Sequence, residues 1–232
     1  MDYVFLSGTG LFYGCSPDEV KIMLGCLDAG RKAYRKGEYI YRAGECIQAM
    51  GIVLSGSVNI ESDDLWGNRS MINHILPGQI FAETYACIPG EPMMVSVVAD
   101  EPAEVLFLEL PKLLKICPSA CPYHASLVQN LLKATAQKNL NLSRRIMHTS
   151  AKTIRGRLLS YLSFLAAQQG SNDITVPYNR QQLADYLSVD RSALSGELGK
   201  LQKEGILKVQ KNRFLLCGEP EEILGRARNP QS

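Results

Sequence analysis

Residues 179–205 read NRQQLADYLSVDRSALSGELGKLQKEG, and their spacing predicts two helices joined by a short turn. Asn179 can cap the first helix, and Gln182 stands three residues on, where it can close a capping box. Asp190 ends the turn and can cap a second helix, in which leucines recur at helical spacing. The stretch therefore predicts a helix-turn-helix.

The outer face of the second helix is small and polar. Small residues let a helix approach a duplex closely, and an arginine at its leading end can reach guanine edges in the major groove. An ordinary solvated helical hairpin is the alternative, but glycine costs about 1 kcal/mol in a helix relative to alanine. The predicted DNA-binding residues are Arg180, Gln181, Arg191, Ser192, Ser195, Gly196, Gly199, Lys203 and Lys211.

The segment that follows the second helix supports the same function. Gly205 ends the helix, and ILKVQKNRFLLC predicts two strands joined at Lys211-Asn212, which is the wing of a winged helix. Residues 138–217 hold 13 Lys/Arg and 5 Asp/Glu, a net charge of +8, whereas residues 1–137 hold 10 and 15, a net of −5. A basic region on an acidic body is the pattern expected of a protein that binds double-stranded DNA.

Length and composition exclude several classes of protein. With 232 residues and 46% hydrophobic content, the chain can bury a core and form two domains. We expect no membrane anchor and no signal peptide, because no apolar run is long enough and the N-terminus lacks a cationic start. Seven scattered cysteines argue against a disulfide framework. The expected location is the cytoplasm.

The N-terminal half consists of short β-prone runs between residues 32 and 110, separated by glycine turns. Short strands at this spacing, without intervening helices, predict an antiparallel sandwich or jelly roll. A long helix then follows, ending near Ser150. Its stripe of residues favours a dimer seam, although packing on its own sandwich is the alternative. The stripe consists of Leu127, Leu131, Ala134, Lys138, Leu142 and Ile146.

In order and spacing, these features resemble the cyclic-AMP receptor protein/FNR (Crp/Fnr) family of bacterial transcription regulators, from about Arg35 to Leu216. Besides the strands and the long helix, the resemblance rests on GRLLSYLSFLA at 156–166 and NRQQLADYLSVDRSALS at 179–195. It implies an α+β fold with three parts. These are a cyclic-nucleotide-binding-like β-roll with an N-terminal helical segment (1–116), a dimerisation helix (117–149) and a winged helix-turn-helix (150–232).

The resemblance also implies partners. It predicts a homodimer that binds a palindromic operator, with RNA polymerase as a further partner, no enzymatic activity and no membrane. Of the base-reading residues in the cyclic-AMP receptor pattern, Arg191 is retained, whereas Ser192 and Gly196 occupy the other two matched positions. The target sequence should therefore differ from that of the founding members.

The predicted effector segment departs from the family pattern. Members that bind cyclic nucleotides carry FGEL and then an arginine-serine step, but here FAETYACIPGEPMMVSVVA has Met93-Met94 at that step. A buried phosphate needs a charged partner, so we expect no cyclic AMP or cyclic GMP but an unknown effector. Glu83 is retained, although local backbone N–H groups could equally account for it. The predicted effector pocket comprises Glu83, Thr84, Met93, Met94, Leu142 and Ser143.

Two alternatives concern metals. Cys117, Cys121 and His124 would share a helical face and are weak candidates for a metal or redox sensor, but prolines interrupt the pattern. Inert cysteines are favoured, and no metal or cofactor is predicted. A cupin-like metalloenzyme would need two or three histidines in the roll, whereas the predicted roll has only His74, for which a structural role is expected.

Overall fold

The computed structural model describes residues 1–63, 69–114 and 122–217. The chain divides into two units, Met1–Gln137 and Lys138–Ser232. The boundary between the units falls inside a long helix. The division into three parts at 1–116, 117–149 and 150–232 remains a prediction.

Eight strands and four short helices form most of the described N-terminal unit. The strands are β1 (Gly30–Tyr34), β2 (Tyr39–Tyr41), β3 (Ala49–Ser55), β4 (Val58–Asp63), β5 (Arg69–Ile75), β6 (Ile80–Phe81), β7 (Ser96–Ala99) and β8 (Ala103–Glu109). The helices are α1 (Tyr3–Ser7), α2 (Pro17–Cys26), α3 (Glu83–Ala86) and α4 (Leu110–Leu114). The strands pair antiparallel in two sheets, with orders β1-β8-β3-β6 and β2-β7-β4-β5. This architecture confirms the predicted β-roll.

The glycine turns and the apolar strand residues account for this roll. Met50 and Ile52 of β3 are fully buried, as is Leu106 of the paired strand β8. Gly56, between β3 and β4, has a φ of +70°, and a Cβ there would lie 2.3 Å from the carbonyl oxygen of Pro102. Only glycine fits that turn, because it combines a left-handed backbone with a close approach of another chain segment.

The long helix α5 (Pro122–Thr149) corrects one prediction. Leu127 and Leu131 are buried in the core of their own N-terminal unit, so their assignment to a dimer seam is wrong. Leu142 and Ile146, from the same predicted stripe, are 60% and 59% exposed. The stripe proceeds mainly in steps of four residues, each of which turns about 40° around a helix of 3.6 residues per turn. It therefore starts against the roll and ends on another face.

In the described part of the C-terminal unit, up to residue 217, three helices and three strands follow α5. They are α6 (Ile154–Gln169), β9 (Asp173–Thr175), α7 (Arg180–Leu187), α8 (Arg191–Lys203), β10 (Leu207–Gln210) and β11 (Arg213–Leu216). The sheet has the order β10-β11-β9 and is antiparallel. Leu162, Leu194 and Phe214 are fully buried in its core. This arrangement confirms the predicted winged helix-turn-helix. Within the described ranges, no helix is both long enough and apolar enough to cross a membrane.

Candidate nucleic-acid interface

The first helix of the motif, α7, begins and ends as its sequence predicts. The Asn179 side chain accepts a hydrogen bond from the Gln182 N–H at 2.9 Å, and the Gln182 side chain accepts one from the Asn179 N–H at 2.9 Å. The helix ends at Ser188, whose φ of 53° is left-handed. Leu183 and Leu187 are fully buried. The capping box and the apolar face therefore fix this helix on the core.

The second helix, α8, is held by its cap and by a row of leucines. The Asp190 carboxylate accepts hydrogen bonds from the backbone N–H groups of Ser192 (2.8 Å) and Ala193 (3.0 Å). Hydrogen bonds from the Ser192 hydroxyl and from these N–H groups lower the pKa of Asp190. A carboxylate ionised at this helix end also favours the helix dipole. The inward-facing residues Leu194, Leu198 and Leu201 are buried. Both features were predicted, and both are confirmed.

The predicted DNA-binding residues of α8 lie on its outer face. Arg191 is exposed in the first turn, and Lys203 is exposed in the last. The Ser195 hydroxyl donates to the carbonyl oxygen of Arg191 at 2.9 Å. A Cβ atom added to Gly196 or Gly199 would meet nothing within 4 Å. Packing within the chain therefore does not require glycine at either position.

The wing presents its turn to solvent. β10 and β11 form a hairpin whose turn residues Lys211 and Asn212 are exposed, and Lys211 has a φ of 56°. The third strand, β9, pairs with β11, and the Arg213 Nε donates to Asp173 at 2.7 Å. This ion pair attaches the wing to the rest of its sheet. The predicted cationic wing tip is confirmed.

Arg180 and Gln181, at the start of α7, are less free than expected. The Arg180 guanidinium carbon lies 5.0 Å from the centre of the Phe214 ring, and burial lowers the pKa of the Arg180 guanidinium. Gln181 is exposed, but its Nε2 donates to the Asp185 carboxylate at 2.8 Å. Both side chains therefore contact their own unit, and a role in DNA binding remains a prediction for each.

Two arginines that sequence reasoning missed hold the end of α7, the first motif helix. Arg145 of α5 donates to the carbonyl oxygens of Asp185 (2.9 Å) and Tyr186 (3.1 Å). Arg157 of α6 donates to the carbonyl oxygens of Ser188 (2.9 Å) and Leu187 (3.2 Å). These carbonyls lie at the end of α7, where cations favour the helix dipole. The partners are 30 to 41 residues apart in sequence, so no local pattern indicates them.

A buried histidine joins α5 to the motif. His148 has no exposed surface, and its ring lies 5.1–6.2 Å from the rings of Tyr161, Phe164 and Tyr186. Its Nδ1 is 3.2 Å from the Ser160 hydroxyl, while its Nε2 is buried without a hydrogen-bond partner in the described structure. Burial, and then the charge of Arg144, lower the pKa of His148. The neutral imidazole is therefore the form that fits this aromatic cluster.

The predicted effector residues of the roll differ in their burial. Glu83 is 97% buried at the start of α3, after Ala82, which has a φ of 61°. Met93 is buried in the core, whereas Met94 is 75% exposed and Thr84 is exposed. The two methionines thus provide an apolar contact and an exposed thioether where the family pattern has a guanidinium.

The remaining site predictions are not brought together. Leu142 and Ser143 are exposed and belong to the C-terminal unit, so grouping them with the roll residues remains a prediction. Cys117 and Cys121 lie outside the described residues, whereas His124 is described and half-buried. In the described ranges, no cluster of three or more metal-ligating side chains is present. His74 Nδ1 is 2.7 Å from Asn59 Oδ1 on the paired strand, which fits its expected structural role.

Comparison with known proteins identifies both units separately. Residues 31–119 match the sequence family described as "Cyclic nucleotide-binding domain", and residues 156–220 match "Crp-like helix-turn-helix domain". The "Cyclic AMP receptor protein" of Thermus thermophilus is 27% identical over 88% of this chain and 90% of that protein. "Transcriptional activator protein FnrL" of Cereibacter sphaeroides is 21% identical over 84% and 79%. The solved structure of CprK complexed with OCPA covers 88% of this chain and 92% of its own, with 17% identity and a TM-score of 0.61, which supports the fold.

Proposed function

The chain belongs to the Crp/Fnr family of transcription regulators, and we propose that it acts as a homodimer on a palindromic operator under the control of an effector other than a cyclic nucleotide. Its relatives are regulators rather than enzymes, which removes the cupin-like metalloenzyme from consideration. The cytoplasm is the proposed location, because the DNA target lies there in bacteria. RNA polymerase is proposed as a further partner.

Sequence-specific binding by α8 rests on one observation above all. Gly196 and Gly199 stand in a helix where glycine is costly and where added methyl groups would meet open space. Their small size therefore serves a surface that approaches the helix from outside, and the major groove of DNA is such a surface. Arg191 at the leading end can donate to guanine, and the exposed Lys203 and Lys211 are the proposed phosphate contacts.

The two-fold arrangement is proposed on a corrected face of α5. Leu132, Leu142 and Ile146 are 67%, 60% and 59% exposed. They fall on one series of positions (128, 132, 135, 139, 142 and 146) that alternates steps of four and three residues. This is the heptad spacing of a coiled-coil seam, which keeps facing a partner helix. Exposed leucines at that spacing on a regulator with one reading helix per chain favour a second copy of this chain as the occupant.

An effector other than a cyclic nucleotide is proposed because the roll has methionine where the family pattern has arginine. The phosphate of a cyclic nucleotide would require the arginine that Met93 replaces, and Met93 is buried in the core with no charge to offer. Glu83 remains a candidate contact. A metal- or redox-responsive version, using Cys117, Cys121 and His124, is a second candidate, since the buried Nε2 of His124 has no hydrogen-bond partner in the described part of the chain. Metal analysis of the purified protein tests the metal-responsive version.

Selection of duplexes from a random-sequence pool by the full-length protein tests the proposed function. We expect enrichment of an inverted repeat with half-sites about one helical turn, or a multiple of it, apart. The Arg191→Ala variant should lose the enriched guanine position in each half-site. A pool that shows no enriched sequence, or a single half-site bound by one chain, would contradict the proposal.

A further inference from the structure

Arg155, near the start of α6, contacts the reading helix α8 at two places. Its Nε donates to Glu197 Oε1 at 2.7 Å. Its two terminal nitrogens donate to the carboxylate oxygens of Glu204 at 2.9 and 2.7 Å, which is a bidentate pair. One guanidinium therefore holds the middle of α8 and the residue directly after it.

Arg155 and Glu197 are largely shielded from solvent, and Lys200 also contacts Glu197, at 3.4 Å. The side chains of Arg155 and Glu197 are 17% and 13% exposed, and that of Glu204 is 43% exposed. Hydrogen bonds from Arg155 lower the pKa of Glu204, and both carboxylates raise the pKa of Arg155. Because its donors already point at carboxylates, Arg155 is not available as a phosphate contact.

The positions of Glu197 on α8 and of Glu204 directly after it explain what the contact can do. They lie seven residues apart, about two turns, along one edge of the helix between the buried leucines and the outer face. The buried leucines hold one side of α8 against the core. The planar Arg155 guanidinium adds contacts at the edge of α8 and just after its end, and these contacts oppose rotation of α8 about its axis.

We propose that Arg155 is a positioning residue that sets the rotation of α8 and thereby the sequence specificity of DNA binding. The inference rests on the proposed function of α8 as the reading helix. Base recognition requires side chains held within about 0.5 Å and 10–20° of their binding geometry, whereas phosphate contacts tolerate more movement. Loss of the Arg155 contacts should therefore reduce specific binding and leave non-specific binding largely intact.

The test compares two duplexes of equal length, one selected by the wild-type protein from a random pool and one of random sequence. Arg155→Met should lower the ratio of specific to non-specific affinity about tenfold, the loss expected when one good base contact is misplaced. The salt dependence on the random duplex should not change, because no phosphate contact is removed. An unchanged ratio in a folded Arg155→Met protein overturns the proposal.

Two further variants separate positioning from simple neutralisation of charge. Arg155→Lys keeps the charge but cannot make the fork-shaped contacts, so its ratio should stay close to that of Arg155→Met. The triple variant Arg155→Met/Glu197→Gln/Glu204→Gln also removes the negative charges that lose their arginine partner, and it should remain impaired. Recovery of the wild-type ratio in either protein shows that Arg155 acts only by neutralising the glutamates, and overturns the proposal.

Folding is checked by circular dichroism melting. If Arg155→Met does not fold, Glu204→Gln replaces it in the test, because this variant keeps the Arg155–Glu197 pair. The ratio of specific to non-specific affinity of Glu204→Gln should fall by a smaller factor. An unchanged ratio counts against a positioning role of Arg155. Wild-type protein that binds neither duplex, or binds both equally, contradicts the proposed function of α8 instead. The two failures are therefore distinguishable.

Discussion

The two ends of the chain keep the pattern of one family to different degrees. At the reading head, the caps, the leucine row and the wing all stand where the motif predicts them. In the roll, the strands and turns are kept, but Met93 joins the core where a cyclic-nucleotide binder would place arginine. Ala82 even holds the left-handed conformation, with a φ of 61°, at the position of the family's glycine.

The difference shows that a fold can be kept while residues of its proposed ligand site change. The roll is specified by apolar alternation and by turns, which tolerate a change of ligand residues. The reading head is specified by caps and a core that also orient its outer face, so fold and function depend on the same residues. Changes that affect one region and not the other test this contrast.

The largest effects should come from two neighbouring leucines of α5. Leu131 is 4% exposed in the core of the N-terminal unit, whereas Leu132 is 67% exposed. Leu131→Arg should destabilise the N-terminal unit by several kcal/mol, because an unpaired charge would be buried. Leu132→Arg should leave both units folded but yield monomers that bind operator DNA weakly. Sedimentation measures the oligomeric state of each variant, and thermal melting measures its stability. A folded dimer of Leu132→Arg would refute the proposed seam.

Substitutions of Arg191 and Lys211 should affect DNA binding in different ways. Arg191→Ala should cost about 1–3 kcal/mol on the selected duplex and relax base preference at one position. Lys211→Ala should weaken binding to all sequences alike and reduce the salt slope by about 1. Fluorescence anisotropy at several salt concentrations measures both. Equal losses on specific and random DNA for Arg191→Ala would remove its assignment as a base reader.

Gly196→Ala should separate stability from DNA binding. Because a Cβ at this position meets open space, alanine should stabilise the C-terminal unit by about 0.5–1 kcal/mol. The same methyl group should weaken binding to the selected duplex, since it lies on the face that approaches the groove. Gly205→Ala is the control and should destabilise, because Gly205 has a φ of +72°. Gly196→Ala with unchanged operator affinity would contradict close approach.

The effect of pH should be confined to acid conditions. Burial lowers the pKa of His148 below its ordinary value of 6.5, so the unfolded chain binds a proton more readily than the folded one. The contribution of His148 is complete above pH 6.5 and is lost as pH falls towards its folded pKa. The melting temperature of the C-terminal unit should therefore fall between about pH 6.5 and 5. His148→Phe should show a smaller fall over this interval, and an equal fall would exclude His148 as the cause.

The parts of the molecule that follow from short-range patterns were predictable. Caps such as Asn179 and Asp190 depend on residues within four positions of each other. Contacts between distant segments were not predictable from such patterns. The contact between Arg155 and Glu204, for example, joins residues 49 positions apart. The stripe on α5 gave a wrong dimer seam because its steps of four residues rotate around the helix. One row of positions therefore contains both core residues and exposed ones.

Operator affinity measured with and without cyclic AMP tests most directly the claim that the reading head is kept while the nucleotide site is lost. A ligand shifts a conformational equilibrium only through a difference in its affinity for the two states. The protein should therefore bind the selected inverted repeat more tightly than random DNA, with the same affinity in the absence of cyclic AMP and in its presence at millimolar concentration. Tighter operator binding on addition of cyclic AMP would contradict this account and would mean that backbone N–H groups replace the missing arginine.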